Sequence, residues 1–160
     1  MAKQIGEAMQ REWGMPPKYY ADVYYELRGD PREFHHPNVR MLSEEDHGLM
    51  LAADASLKVG TSIGLLRERR VAAAIVDGQI VGKAACYARS ERYADIGVQT
   101  LAEHRKRGYA AAAACLIARS MIEKGLRPVW STGEDNWASQ RVAAKLGFKE
   151  VSRYLFVSKA

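Results

Sequence analysis

Cysteine is scarce in this chain, with only Cys86 and Cys115 among 160 residues. Neither sits in a Cys-x-x-Cys or Cys/His spacing, which excludes a disulfide-stapled scaffold and argues against structural zinc. Both fall inside apolar segments and read as reduced, buried thiols. Long apolar runs are missing too: nothing approaches the ~20 residues that a membrane-spanning helix requires, so the chain reads as soluble, with no membrane partner. The opening MAKQIGEAMQREW is broken by Lys3, Gln4, Glu7 and Gln10. It lacks the apolar core and cleavage site of an export signal, which points to the cytoplasm. Histidine is limited to His35, His36, His47 and His104, scattered without metal-ligand spacing, so no metal is expected. No internal repeat, low-complexity linker or basic-aromatic RNA-binding motif is present, and the last of these counts against a nucleic-acid partner.

What is present fits one globular unit. A chain of 160 residues, 48% apolar and 27% charged, is long enough for one core and too short for two ordinary domains. The net charge of +5 suits an acidic partner, but charge alone does not choose among a nucleotide cofactor, a nucleic acid and solvent.

Periodicity places most of the elements. Ile5, Met9 and Trp13 recur at i, i+4 and i+8 and predict a helix ending near Gly14. Tyr20, Tyr24 and Leu27 repeat the spacing and predict a second helix, closed by Arg28-Gly29-Asp30-Pro31. Residues 1–30 therefore read as a helical arm packed on a domain formed by 31–160, and the arm is equally suited to a homodimer contact or a pocket wall. Asn38 to Leu42 reads as a strand. Ser43 reads as an N-cap before a helix carrying Leu49, Ala53 and Leu57 on one face. Val71–Val76 and Gln79–Ala88, split by Asp77-Gly78, predict a β-hairpin. Further along come a strand over Tyr93–Thr100, a helix over Gly108–Lys124, a strand over Pro128–Ser131, a helix over Ala138–Leu146 and a last strand at Tyr154–Val157. Strands followed by helix, strand, helix and strand give an α/β domain with a mixed, mostly antiparallel central sheet flanked by helices.

The segment from Ile96 to Phe148 carries the chemistry. The strand IGVQT runs into Arg105-Lys106-Arg107-Gly108-Tyr109-Ala110 at the start of a helix. Unpaired backbone N–H groups, the helix dipole and two or three cationic side chains converge there on one point, and a pyrophosphate suits it. Arg105-x-x-Gly108-x-Ala110 is similar to the Q/R-x-x-G-x-G/A turn of the GNAT N-acetyltransferase superfamily, and the resemblance extends over roughly residues 70 to 157. It implies a GNAT-like fold and acetyl-CoA as cofactor, held by Arg105, Lys106, Arg107, Gly108, Tyr109 and Ala110. It further implies backbone groups at Val98 and Thr100 that meet the thioester carbonyl and pantetheine arm, and a second cofactor motif at Asn136 and Ser139.

The same resemblance implies an N-acetyltransferase in which an amine attacks the thioester directly within a ternary complex. Asp95 falls near the family's glutamate, which takes a proton from the amine through water; a surface carboxylate paired with arginine is the alternative. Many members place a proton-donating tyrosine seven residues after the motif's Asn, where this chain has Ala143. The form with Ser three residues after the Asn resembles the branch holding ribosomal-protein N-terminal acetyltransferases and several antibiotic-modifying enzymes. Ser139 is then the first candidate donor and Tyr154 the second. Helix capping is the alternative for Asn136 and Ser139. Ile96 to Phe148 most resembles zwittermicin-resistance-type acetyltransferases, which implies a small-molecule polar amine as acceptor. A protein N-terminus or charged tRNA as acceptor, and a non-catalytic CoA-binding module, stay open. Trp130, Trp137, Tyr19, Tyr20, Tyr24 and Tyr25 suit either an acceptor pocket or ordinary packing.

Overall fold

The computed structural model describes residues 2–14, 17–58 and 60–159. Its order is α1 (Ala2–Trp13), β1 (Pro17–Glu26), β2 (Val39–Met41), α2 (His47–Ala52), α3 (Ala55–Lys58), α4 (Ile63–Arg67), β3 (Val71–Val76), β4 (Gln79–Arg89), β5 (Tyr93–Thr100), α5 (Tyr109–Glu123), β6 (Arg127–Gly133), α6 (Trp137–Leu146) and β7 (Lys149–Lys159). The strands form one sheet in the order β2-β3-β4-β5-β6-β1-β7. Only β5 and β6 are parallel, joined by the α5 crossover, and every other pair is antiparallel, so the mixed sheet expected from the pattern is present. Among the described residues no helix is long and apolar enough to cross a membrane.

Two cores sandwich the sheet. On one face Ala72, Ala74, Val81, Ala84, Cys86, Ile96 and Trp130 pack against α5 and α6. The alanines of α5 let its axis lie close to the strands, and Ala111 to Ala114 are all buried. On the other face Val71, Ala73, Ile80 and Ala85 pack under Met50, Leu57 and Leu66 of α2, α3 and α4. Cys86 and Cys115 are free and buried.

The structure corrects the reading of Tyr20 to Leu27 as a helix. Pro17–Glu26 is a ten-residue strand that lies inside the sheet, pairing with β6 on one side and β7 on the other. The i, i+4 spacing of Tyr20 and Tyr24 is equally an i, i+2, i+4 strand pattern through Asp22, and two flanking partners favour the strand for a Tyr- and Val-rich segment. Val23 and Tyr25 thereby face the α5/α6 core, while Tyr20, Asp22 and Tyr24 point to the opposite face. The helix expected after Ser43 is also broken. Ala53 turns out of α2 with ψ 162°, and Asp54 accepts the Ser56 N–H at 2.8 Å, opening α3.

Candidate active site

β5 and β6 are paired only over Tyr93–Asp95 and Arg127–Val129, and beyond that point they separate. Asp95 stands at the apex of the resulting V. The Leu101 N–H bonds to the Val81 carbonyl of β4. Strand alternation then turns the N–H groups of Val98 and Thr100 away from β4 and into the V. The Thr100 carbonyl lies on that same side and accepts from Arg105 Nε at 3.3 Å.

The turn that follows is built for an anion. Lys106 and Gly108 both have left-handed φ, 63° and 86°. Gly108 is the N-cap of α5 with no side-chain cap bond, and a Cβ added there would meet nothing within 4 Å. The first helical bond runs from Ala112 N–H to the Gly108 carbonyl, so the preceding N–H groups are left to an incoming acceptor. Arg105, Lys106 and Arg107 are exposed around it. Thr100 Oγ1, against Gly82 of β4, and His104 Nδ1, just before the turn, are buried with no hydrogen-bond partner among the described residues. Open space at Gly108, uncapped N–H groups and local cations fit a diphosphate. Tyr109 departs from the expectation in part: its side chain is buried and meets His36 edge to face at 4.6 Å, so only its backbone faces the turn.

At the second motif, Asn136 N-caps α6 by accepting the Ser139 N–H at 3.2 Å. The Ser139 hydroxyl is no cap. It accepts from the Trp130 indole N–H at 2.9 Å, which leaves its own proton without an acceptor among the described residues. Trp130 is 1% exposed and packs edge to face on Phe148. Ala143 is fully buried, so the position that often carries tyrosine here faces the core. Tyr154 lies on the other side of the sheet, away from Ser139. It is paired in register with Asp22, exposed, and edge to face with Tyr24 at 5.2 Å.

That second face holds Asp95. Burial raises its carboxyl above the ordinary aspartate value, and among the described residues it has neither ion pair nor hydrogen bond. Tyr87 lies over Gly97 on this face and donates its hydroxyl to Gln99 Oε1 at 3.4 Å; burial first and the Asp95 charge second push its phenol up to about 12. Gly97 makes room for that ring, since a Cβ there would stand 2.8 Å from it. Tyr24 is raised by burial and then by Asp22, Tyr154, Asp95 and Tyr20. Lys83, fully buried, donates to the Thr61 hydroxyl and lies 5.4 Å from the Tyr87 ring centre, and burial lowers its ammonium to about 8. Sequence reasoning missed Tyr87, Asp22 and Lys83 on this face of the sheet, and named Tyr24 for an acceptor pocket without placing it on this face. Strand alternation from Tyr20 onward was the available signal for Asp22 and Tyr24. Two surface hollows, of about 350 Å³ near Pro37 and Ile75 and about 260 Å³ near Arg92 and Gly125, lie away from the V, which is an open groove.

The GNAT acetyltransferase family model matches residues 72–157, which take in the hairpin, the V, the turn and both flanking helices. The chain belongs to the GNAT acetyltransferase family. A search of the curated proteins gives no match. Among solved structures, a GNAT-family acetyltransferase from Novosphingobium aromaticivorans is 22% identical with TM-score 0.69, over 89% of this chain and 66% of its own. One from Colwellia psychrerythraea is 16% identical with TM-score 0.69, over 89% and 57%. An aminoglycoside N-acetyltransferase in complex with CoA is 24% identical with TM-score 0.57, over 76% and 98%. These likenesses show the GNAT fold. The chain spans less than two thirds of the first two structures' lengths.

Proposed function

We propose that this chain is an acetyl-CoA-dependent N-acetyltransferase acting on a small polar amine by direct attack in a ternary complex. The observation that carries the reading is the juxtaposition of an unpartnered, half-buried carboxylate, Asp95, at the apex of the V with the uncapped cationic turn at its mouth. Residues 105–110 would hold the diphosphate of CoA, which when bound supplies an acetyl group activated as a thioester.

Each remaining task falls to a residue of this chain. The Val98 and Thr100 N–H groups point into the V, where they polarise a carbonyl and pair with an amide-bearing arm laid along β5. Asp95 takes a proton from the incoming ammonium, directly or through water; its raised pKa brings it closer to the proton it must accept. Ser139 is the donor to the leaving sulfur. The Trp130 indole fills one lone pair of its oxygen, which fixes the hydroxyl and leaves its proton for transfer. Tyr154 stands on the acceptor side and serves there as an aromatic wall rather than as the donor. A small polar amine as acceptor fits the open groove and the likeness of Ile96–Phe148 to zwittermicin-resistance-type acetyltransferases.

Thermal stability with and without acetyl-CoA tests the cofactor half: ligand at ~100 times its dissociation constant adds about 2.7 kcal/mol. No shift at millimolar CoA would sink it. Thiol release against a panel of small amines, a peptide α-amine and charged tRNA tests the acceptor half.

A further inference from the structure

On the face of the sheet that carries Asp95, β1 and β7 display an aromatic corner around a second carboxylate. We propose that Asp22, with the rings of Tyr20, Tyr24 and Tyr154, holds a second positive charge on the acceptor, so that the preferred acceptors are diamines with well-separated nitrogens. The inference rests on the reading of the V as an acetyl-transfer site.

Four observations carry it. Alternation along β1 puts Tyr20, Asp22 and Tyr24 on one face, and register sets Tyr154 directly across from Asp22. Tyr154 is 56% exposed and Tyr20 46%, so their rings stay open to a ligand. Their arrangement is fixed: Tyr20 stacks on Phe156 at 5.1 Å, and Tyr24 meets Tyr154 edge to face at 5.2 Å. Asp22 has no hydrogen bond or ion pair among the described residues, and the adjacent Arg153 on β7 is engaged by Glu150. A carboxylate flanked by aromatic faces attracts an ammonium by charge and by the ring quadrupole together.

Register gives the spacing. Asp95 pairs with Val129 on β6, and Asp22 pairs with Gly133, four residues further along. Two strand spacings across and four residues along separate the two aspartates by about 16 Å between Cα atoms. Allowing about 3 Å at each end for a carboxylate to reach an ammonium leaves about 10 Å between nitrogens. An extended chain of roughly seven atoms spans that distance.

The test compares 1,8-diaminooctane, ethylenediamine and octylamine in thiol-release assays on the full chain, beside calorimetric binding of 1,8-diaminooctane with CoA present. The expected result is a specificity constant at least tenfold higher for the long diamine than for either other amine. Asp22→Asn should erase that preference while leaving octylamine turnover unchanged, and Tyr20→Ala should weaken the diamine several-fold through KM. Equal turnover of diamine and monoamine by the native protein overturns the subsite while leaving acetyl transfer standing. If no amine is acetylated, calorimetry decides: diamine binding lost in Asp22→Asn supports the subsite, and binding that is absent or unaltered by the substitution overturns it.

Discussion

Ser139 sits where structure and chemistry compete, and its replacement by alanine separates them. The Ser139 hydroxyl is the partner of the Trp130 indole N–H at 2.9 Å, and Trp130 is 1% exposed. Ser139→Ala leaves that donor buried and unpaired, which costs about 1–3 kcal/mol. In a chain of this size each kcal/mol lowers the melting temperature by about 2–4 °C, so a fall of several degrees is expected in differential scanning fluorimetry. Trp130→Phe removes the donor as well. In that background Ser139→Ala should cost less than about 0.5 kcal/mol, giving a coupling of at least about 0.5 kcal/mol between the two positions. Catalysis should behave differently. A proton donor to a thiolate of ordinary pKa contributes modestly, so kcat falls about tenfold or more with Ser139→Ala in both backgrounds. A stable Ser139→Ala protein, or additive stabilities in the double variant, would refute the hydrogen bond as described. Unchanged kcat would remove Ser139 as the donor.

Other expectations follow from the same geometry. Gly108→Ala places a Cβ at φ +86°, costing about 1–2 kcal/mol, and its methyl enters the open space of the turn, so the stabilisation by CoA should vanish; a retained CoA shift would mean the diphosphate lies elsewhere. Asp95→Asn should lower kcat/KM by about 10²–10⁴ and abolish the acid limb of the pH–rate profile. Because burial raises the Asp95 pKa, its stability penalty sets in as pH rises from the unfolded aspartate value through the folded one. Asp95→Asn should therefore be the more stable protein at neutral pH and show no advantage below the unfolded value, as urea titrations at the two pH values would reveal. Lys83 is lowered from 10.5 to about 8, so the unfolded chain binds the extra proton between those values and stability from this group rises with pH across that window. The stability of Lys83→Met relative to the native protein should thus drop by about 2 kcal/mol between pH 7 and pH 10; a constant difference would place the ammonium in contact with water.

The parts of the fold that were legible are those whose signal is local. Asp77-Gly78 between apolar runs specified the hairpin of β3 and β4, and the cationic turn before an unbroken run of alanines specified the start of α5. Ser139 was singled out by its distance from Asn136, but its bond to Trp130 was not readable, since nothing in the spacing says which lone pair an indole nine residues away will take. The clearest failure was β1. Its pattern admits both a helix and a strand, and the choice is made by β6 and β7, which lie more than a hundred residues further along. Asp22 was lost with it, and Tyr24 was named for an acceptor pocket without its neighbours, because a residue on a misassigned element is read as pointing the wrong way. Tyr87 and Lys83 were hidden differently: both lie on a strand placed correctly, and their proximity to Asp95 and Thr61 depends on how β4 is covered.

The interior position of β1 also sets an order of events. Glu26 and Arg127, paired across β1 and β6, are 101 residues apart, so that contact must await nearly the whole chain. On the ribosome, the hairpin and α5 can collapse while β1 is already made but has nothing to pair with. Its two hydrogen-bonding edges then stay unpaired until β6 and β7 emerge, a pairing that such long range makes slow. The acceptor side of the V is therefore the last part of the molecule to be assembled, and binding of the diphosphate at the turn should become detectable in refolding before β1 is in place.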